Sequence, residues 1–508
     1  MTQPFNIVRH FFEAAKRHPD TIAIIHQKQQ VTFREFEQQV LDTAAYFTEK
    51  GIGKGDRVML FVPMSIDLYR IVLALFHIGA TAVFLDEWVS KKRLEACCQV
   101  AQCQAFIGIF KARVLALFTS ELRKIPIKLG TGYKQNSRKN ATAAPTTASD
   151  TALITFTTGS TGTPKAAKRT HGFLHEQFQA LLEKIDPHPD DIDMPVLPIV
   201  LLINLGAGCT SVIADFKASK PNSLKPEKVV RQLQKHRVTR LVASPFFVKQ
   251  LAKYCIEHAV AVPSLEKLFT GGAPVFPAEA ALYVQAFPEA TIEIVYGSTE
   301  AEPISAITAT ALLLEKDDLL QQGLKVGAPY RKAEVRIVQV KVGAIACESE
   351  AELAQLQLRP GQIGEIIVAG PHVLQEYLNN EEALKQNKIF IGEKCWHRTG
   401  DSGYLNEKGE LYLTGRCSTL LHTNGNLLAP FLYENYFSSL AGVEMGTVLQ
   451  LNGELTAVLE LKPGADKAAV QEQVTQAGQF EVRFVSKIPR DPRHNSKIDY
   501  ERLRVQLV

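Results

Sequence analysis

Apolar residues recur along the first third of the chain in two alternating rhythms, which together predict a sheet covered by helices. Ile7, Val8, Phe11, Phe12 and Ala15 keep helical spacing, as do the segments 33–49, 66–77 and 90–100. Strand-like runs lie between them at 57–62 and, after a glycine suited to ending a helix, at 79–86. This alternation argues for a mostly parallel sheet. The stretch 130–150 is polar, basic and rich in Ala and Thr without periodicity, so it is expected to be a loop that delivers the chain to a β-rich run, 152–156. A second alternation runs from Lys228 to Pro288 and includes strand-like runs over 241–245 and 268–274. Beyond Gly327 the runs shorten, as at 334–340 and 365–368, with turns such as Pro360-Gly361 between them. That texture predicts a small β-rich subdomain. After a strand-like run over 410–414, short α/β texture continues to Val508. The expected fold is therefore α/β. Residues 1–414 would form a large N-terminal domain of two helix-covered α/β subdomains plus the β-rich one, and residues 415–508 a small α+β C-terminal domain.

One apolar stretch invites a different reading. Residues 194–214 carry no charge and are long enough to span a bilayer. Pro195, Pro198, Gly206 and Gly208 interrupt them, and Asn204 breaks the apolar face. Buried strands and turns are expected there instead of a membrane helix. The first 26 residues have no apolar signal core, and Ile7–Ala15 reads as an amphipathic helix packed on the body, so a cytoplasmic protein is expected.

Composition narrows the partners. At 508 residues the chain is too long for one compact core, and about two to four domains is the general expectation. A net charge of +4 over that length demands neither nucleic acid nor a polybasic membrane contact. The eight cysteines are scattered without a Cys-x-x-Cys spacing, which suggests buried thiols in a reducing compartment.

The candidate chemistry sits in five short stretches. Behind the 152–156 run come Thr157, Thr158, Gly159, Ser160, Thr161, Gly162, Thr163, Pro164 and Lys165. Glycines let backbone N–H groups approach a phosphate, hydroxyls add donors and the lysine adds charge, so strand, loop and lysine read as a triphosphate cradle, with a helix expected from about Gly172. Pro164 separates the glycines from Lys165, so this is not a Walker loop. Next, a strand over 292–296 leads into Gly297, Ser298, Thr299 and Glu300. The Tyr296 ring could face a purine, Thr299 could bond a phosphate and Glu300 could hold Mg²⁺, although a plain turn fits the same residues. The third stretch is His397-Arg398-Thr399-Gly400-Asp401, where a carboxylate in a tight turn can accept from ribose hydroxyls or simply open a hairpin. Gly415-Arg416 ends a strand. Pro489–Ile498 contains Lys497, which by itself reads as an ordinary solvated lysine. His171, just after the phosphate stretch, suits either a site role or a satisfied surface position.

In this order the stretches resemble the adenylate-forming superfamily of acyl-CoA synthetases, nonribosomal adenylation domains and luciferases. The resemblance covers nearly the whole chain. Residues 157–165 resemble its phosphate loop, Tyr296–Glu300 its adenine and Mg²⁺ motif, Thr399–Asp401 its ribose motif, Gly415-Arg416 its hinge and Lys497 its catalytic lysine. The resemblance implies that Gly272, Ala273, Pro274, Ser298 and Arg416 also line an ATP/AMP site. It further implies that Thr299 and Glu300 act in catalysis beside Lys497, and that the C-terminal domain is a mobile lid. Tyr296-Gly297-Ser298-Thr299-Glu300-Ala301-Glu302-Pro303, His397–Asp401 and Arg493–Ile498 are similar, more narrowly, to the β-lactone synthetases of olefin biosynthesis. Three positions depart from the superfamily: Ala166 replaces a glycine, Ser418 the hinge aspartate, and His422 a lysine.

The resemblance implies ATP and Mg²⁺ as cofactors and a fatty, 3-hydroxy carboxylic acid as substrate, with no nucleic-acid partner and no integral membrane segment. Residues 196–208 offer no carboxylate to an amino-acid ammonium, and their apolar character suits an acyl chain or simply a core. His494 is a candidate general base for lactone closure. Thioester formation with CoA is the rival second step, which the altered hinge puts in question. A non-catalytic adenylate-binding protein is the remaining reading, opposed by the intact Lys165, Glu300, Asp401 and Lys497. Oligomeric state is not legible.

Overall fold

The structure is a computed structural model that describes residues 4–85, 90–133, 142–157, 164–216, 221–314, 322–423, 426–490 and 498–507. Both predicted alternations form sheets. In the first, strands Arg57–Phe61, Thr81–Phe84, Ala105–Gly108, Ile127–Leu129 and Thr151–Thr157 run parallel, and Lys165–Thr170 closes one edge antiparallel. In the second, Ile22–His26, Thr210–Ile213, Ile192–Pro195, Arg240–Ala243, Lys267–Gly271 and Thr291–Ser298 run parallel in that spatial order. The N-terminal hairpin, Ile22–His26 with Gln29–Thr32, therefore belongs to the second sheet despite its place in sequence.

The β-rich region is continuous with that second sheet. Strand Ala301–Thr308 folds back on Thr291–Ser298 and then pairs with Leu324–Pro329, which leads to the antiparallel strands between Glu334 and Arg416. Beyond Arg416 a separate three-stranded sheet, Val443–Leu451, Glu454–Leu461 and Glu481–Val485, carries its own core around Phe437, Val448 and Leu459. Helix Pro430–Ser439 joins the two regions: Phe431 packs in the large core and Phe437 in the small one.

Local chemistry explains many helix ends. Thr32 and Glu35 form a reciprocal capping box, and Ser65, Ser90 and Thr170 cap with their side chains. The amphipathic N-terminal helix is Arg9–Arg17, buried through Phe11, Ala14 and Ala15. The uncharged stretch after Met194 differs from expectation. Its middle is a helix, Pro198–Ala207, opened by Pro198 at its first position and stopped by Gly208 in the left-handed region. Proline is tolerated in a first helical turn and glycine after a last one, so these residues bound a helix rather than prevent one. Among the described residues no helix is long and apolar enough to cross a membrane. Seven of the cysteines are buried free thiols, and Cys417 is partly exposed.

His171 is fully buried, not a surface residue. Its Nδ1 accepts from the Ile7 N–H at 3.3 Å, and its ring packs edge-on to Phe76. Burial pushes its pKa down to about 4. The folded state thus prefers the neutral ring, and its stabilising effect is complete above the free value of about 6.5 and lost as pH falls toward 4. Unfolding at pH 5 is expected to need about 2 kcal/mol less from this residue than at pH 7. Denaturant titrations of the wild type and His171→Gln at both pH values measure it. The difference between pH values should shrink by that amount in the variant.

Candidate active site

The phosphate stretch connects two strands, and the expected helix follows the second of them. Thr157 pairs with Lys165 across the antiparallel strands 151–157 and 165–170, while Thr158, Gly159, Ser160, Thr161 and Gly162 lie outside the described residues. Lys-Ala-Ala-Lys-Arg-Thr has little intrinsic strand preference. It is held as a strand from both sides, because the segment Glu376–Leu378 bonds along its other edge. Leu378 N–H donates to the Ala166 carbonyl at 2.8 Å and Lys168 N–H to the Glu376 carbonyl at 3.2 Å. Ala166 is fully buried in this packing. The helix after it begins at His171, as expected, with the whole strand Lys165–Thr170 between it and Lys165. Lys165 Nζ donates to Asn387 Oδ1 at 3.3 Å.

The same Val373–Leu378 segment reaches Glu300. Strand Thr291–Ser298 extends two residues beyond the expected end at Tyr296, and Ser298 pairs with Ala301, leaving Thr299 and Glu300 as the turn. A Cβ on Gly297 would stand 2.9 Å from the Ala301 carbonyl oxygen, so the hairpin admits only glycine without shifting. Leu374 N–H donates to the Glu300 carbonyl at 2.7 Å, and the Tyr377 hydroxyl donates to Glu300 Oε1 at 3.1 Å. Burial, reinforced by the Glu300 charge, raises the Tyr377 pKa and keeps that phenol a donor. Arg169 Nη2 donates to the Thr299 carbonyl at 3.1 Å. Burial lowers the Arg169 pKa against the opposing pull of Glu302 and Glu300. Lys388 is buried and pushed down to about 8 by desolvation, a shift opposed by Cys395 and Glu300. The Glu300 carboxylate therefore stands within electrostatic reach of two buried cations. Ser298 Oγ is buried with no hydrogen-bond partner among the described residues.

The third group is directly bonded. Asp401 accepts from the Tyr296 hydroxyl at 2.8 Å through Oδ2 and from Arg416 Nη1 at 2.5 Å through Oδ1. Thr399 Oγ1 receives the Asp401 N–H at 3.0 Å and itself donates to the Ile366 carbonyl, which sets the turn at Gly400. Burial, then the Asp401 charge, holds the Tyr296 phenol far above its usual range, and Asp401 raises the Arg416 pKa. Tyr296 thus presents its hydroxyl to the Asp401 carboxylate. Gly272, Ala273 and Pro274 follow the neighbouring strand Lys267–Gly271 at the same edge; Gly272 has φ +84° and open space where a Cβ would go. Open parallel sheets bind ligands at this C-terminal edge.

Ser418 lies in the single helical turn Cys417–Thr419 directly after Arg416. Gly415 has φ +117°, and a Cβ there would lie 2.7 Å from Phe431 Cβ. His422 is exposed on the strand Leu421–Thr423. Lys497 and His494 lie outside the described residues. Their flanks are fixed: Arg490 bridges Ile498, and the Tyr500 hydroxyl bonds the half-buried Glu434 beside Thr447. Sequence reasoning missed Arg169, Tyr377, Asn387 and Lys388. None of them carries a local spacing that points to the site; only the fold brings them to Glu300 and Lys165.

Two α/β sheets, a hairpin presenting a carboxylate, and an Asp–Arg pair ahead of a small third sheet define an adenylate-forming architecture. Residues 11–378 match the family described as AMP-binding enzyme, and the chain belongs to that family. It is 30% identical to an olefin beta-lactone synthetase of Xanthomonas campestris pv. campestris and 29% identical to one of Stenotrophomonas maltophilia. Each match covers 99% of this chain and 98% of the relative. The fold is also that of the amide bond synthetase McbA from Marinactinospora thermotolerans, with a TM-score of 0.80 at 21% identity over 99% of this chain and all of that one. The protein is an adenylate-forming enzyme that activates a carboxylic acid with ATP.

Proposed function

We propose that this enzyme activates a fatty 3-hydroxy acid and closes it to a β-lactone. The observation that carries the reading is its end-to-end similarity to two olefin beta-lactone synthetases. The substrate side of the site agrees. Helix Pro198–Ala207 follows strand Ile192–Pro195 at the ligand-binding edge, and Leu197, Ile199 and Val295 pack there around Val242 and Phe269. The nearby carboxylate, Asp193, is buried, pushed up to about 6 by desolvation, and bonded to Asn204 at 2.8 Å, so it belongs to the core and not to a substrate ammonium. An apolar wall suits an acyl chain.

In the first step the substrate carboxylate attacks the α-phosphorus of ATP and pyrophosphate leaves. Lys165 and the loop before it would hold the β- and γ-phosphates, with Thr299 near them. Asp401, Tyr296 and Arg416 would hold the nucleoside, with Gly272–Pro274 beside it. The open space at Gly272 and the unpartnered Ser298 Oγ fit a polar ligand at this edge. Mg²⁺ binds typically through one or two carboxylates plus phosphate oxygens and water. The single carboxylate of Glu300 fits that pattern, and the metal would neutralise phosphate charge. Lys497 would bridge the carboxylate and the α-phosphate from a lid formed by residues 415–508, hinged at Ser418. In the second step the 3-hydroxyl oxygen attacks the acyl carbonyl, the C–O bond to phosphate breaks, and AMP leaves; His494 would take the hydroxyl proton.

The test supplies ATP, Mg²⁺ and a long-chain 3-hydroxy acid with and without CoA, and identifies products by mass spectrometry and NMR. A β-lactone and AMP in the absence of CoA are expected, and His494→Ala should accumulate adenylate without closing it. A product that appears only with CoA, as a thioester, would make the enzyme an acyl-CoA ligase instead.

A further inference from the structure

Helix Phe110–Phe118 is turned inside out. It buries two alanines, Ala112 and Ala116, against the sheet and directs Phe110, Val114, Leu115, Leu117 and Phe118 to solvent. Phe110 is 75% exposed, Phe118 72% and Leu117 60%. Positions 110, 114, 117 and 118 share one helical face, so these side chains form a continuous apolar patch and not scattered surface residues. Among the described residues, the other exposed large apolar side chains lie singly in distant parts of the sequence, apart from Ile109 at the head of this helix.

The charge around the patch indicates what covers it. The stretch 109–128 carries five basic residues, Lys111, Arg113, Arg123, Lys124 and Lys128, all exposed, against one acid, Glu121, which is paired with Lys124. Glu95 is the acid facing it from the adjacent helix, bonded to Ser120. Exposed aromatic and leucine side chains bordered by lysine and arginine are the composition of a helix that lies in a lipid interface, where apolar contact and attraction to anionic headgroups add. A protein partner of matching size would more often meet aromatic anchors within a depletion of lysine.

We propose that this face docks the enzyme on an anionic lipid surface. Strand Ala105–Gly108, which feeds the helix, runs parallel to Thr151–Thr157, which feeds the phosphate loop, and two strands separate them. The head of the helix therefore emerges on the nucleotide-binding edge, roughly 14 Å away along the sheet. Docking would set that edge beside the bilayer, from which an acid with a long apolar tail would enter. The surface assignment itself rests on the patch and its charge, and stands whether or not the substrate reading does.

The experiment is vesicle flotation of the full-length protein with phosphatidylcholine vesicles, with and without phosphatidylglycerol. Binding to the anionic vesicles is expected, weakened by salt, and reduced at least about tenfold by combined Phe110→Ser, Leu117→Ser and Phe118→Ser. Lys111→Glu with Lys124→Glu should remove the preference for phosphatidylglycerol. These side chains are exposed, so ATP-dependent AMP release on a short, water-soluble acid should be unchanged and reports that the variants are folded. Equal flotation of wild type and triple variant, or no flotation of the wild type, overturns the proposal. So does a fall in particle mass in the triple variant, which would assign the face to a second copy of the chain.

Discussion

Replacing Lys497 with alanine is expected to abolish acyl-adenylate formation while ATP still binds. The reaction brings a carboxylate onto a phosphate, two anions, so the barrier is dominated by charge that must be met by groups already in place. Removing one such preorganised charge costs about 10²–10³ in rate. ATP would retain Asp401, Tyr296, Arg416 and Lys165, so nucleotide affinity should change little. Pyrophosphate exchange measures the first step and equilibrium nucleotide binding the second. Exchange at the wild-type rate would remove Lys497 from the mechanism. Arg490 and Ile498, which flank the segment carrying Lys497, bridge each other, and Tyr500 just beyond bonds Glu434, so these anchors do not depend on the Lys497 side chain and a folding defect is not expected from this substitution.

Glu300→Gln is expected to cost at least about 10² in the rate of AMP formation, with a raised requirement for Mg²⁺. The substitution keeps the shape of the turn, since the Leu374 N–H bonds the backbone carbonyl and Tyr377 can still donate to an amide oxygen. What it removes is the negative charge facing Arg169 and Lys388. The metal would lose its carboxylate while two buried cations lose their counter-charge. The readout is a Mg²⁺ titration of activity beside a thermal melt. Unchanged metal dependence would show that Glu300 balances the buried cations and does not hold Mg²⁺.

The alternating α/β fold was legible because its signals are local: helical periodicity over 33–49 and 66–77, and apolar runs where the strands Arg57–Phe61 and Thr81–Phe84 form. The pairing of Ile22–His26 with Thr210–Ile213 was not, since nothing in either segment names a partner so far along the chain. The strand Lys165–Thr170 was not foreseen and the helix Pro198–Ala207 was misread, for opposite reasons. The first is a weak strand former that its neighbours hold extended; the second begins and ends with residues usually counted as breakers. Within the site, motif residues such as Tyr296, Asp401 and Arg416 do meet. Arg169, Tyr377 and Lys388 became visible only when three separate segments converged on one turn.

The Val373–Leu378 segment has a mechanical meaning. It bonds to the strand Lys165–Thr170 at one end and to the turn carrying Glu300 at the other. The two are thereby set to a common gauge, like jaws separated by one spacer, although they grow from different sheets. A lengthened or shortened spacer would leave each jaw intact and spoil only the gap between them. An insertion of one residue after Leu374 should therefore yield a folded protein whose two halves of the site are each correct and mutually out of alignment.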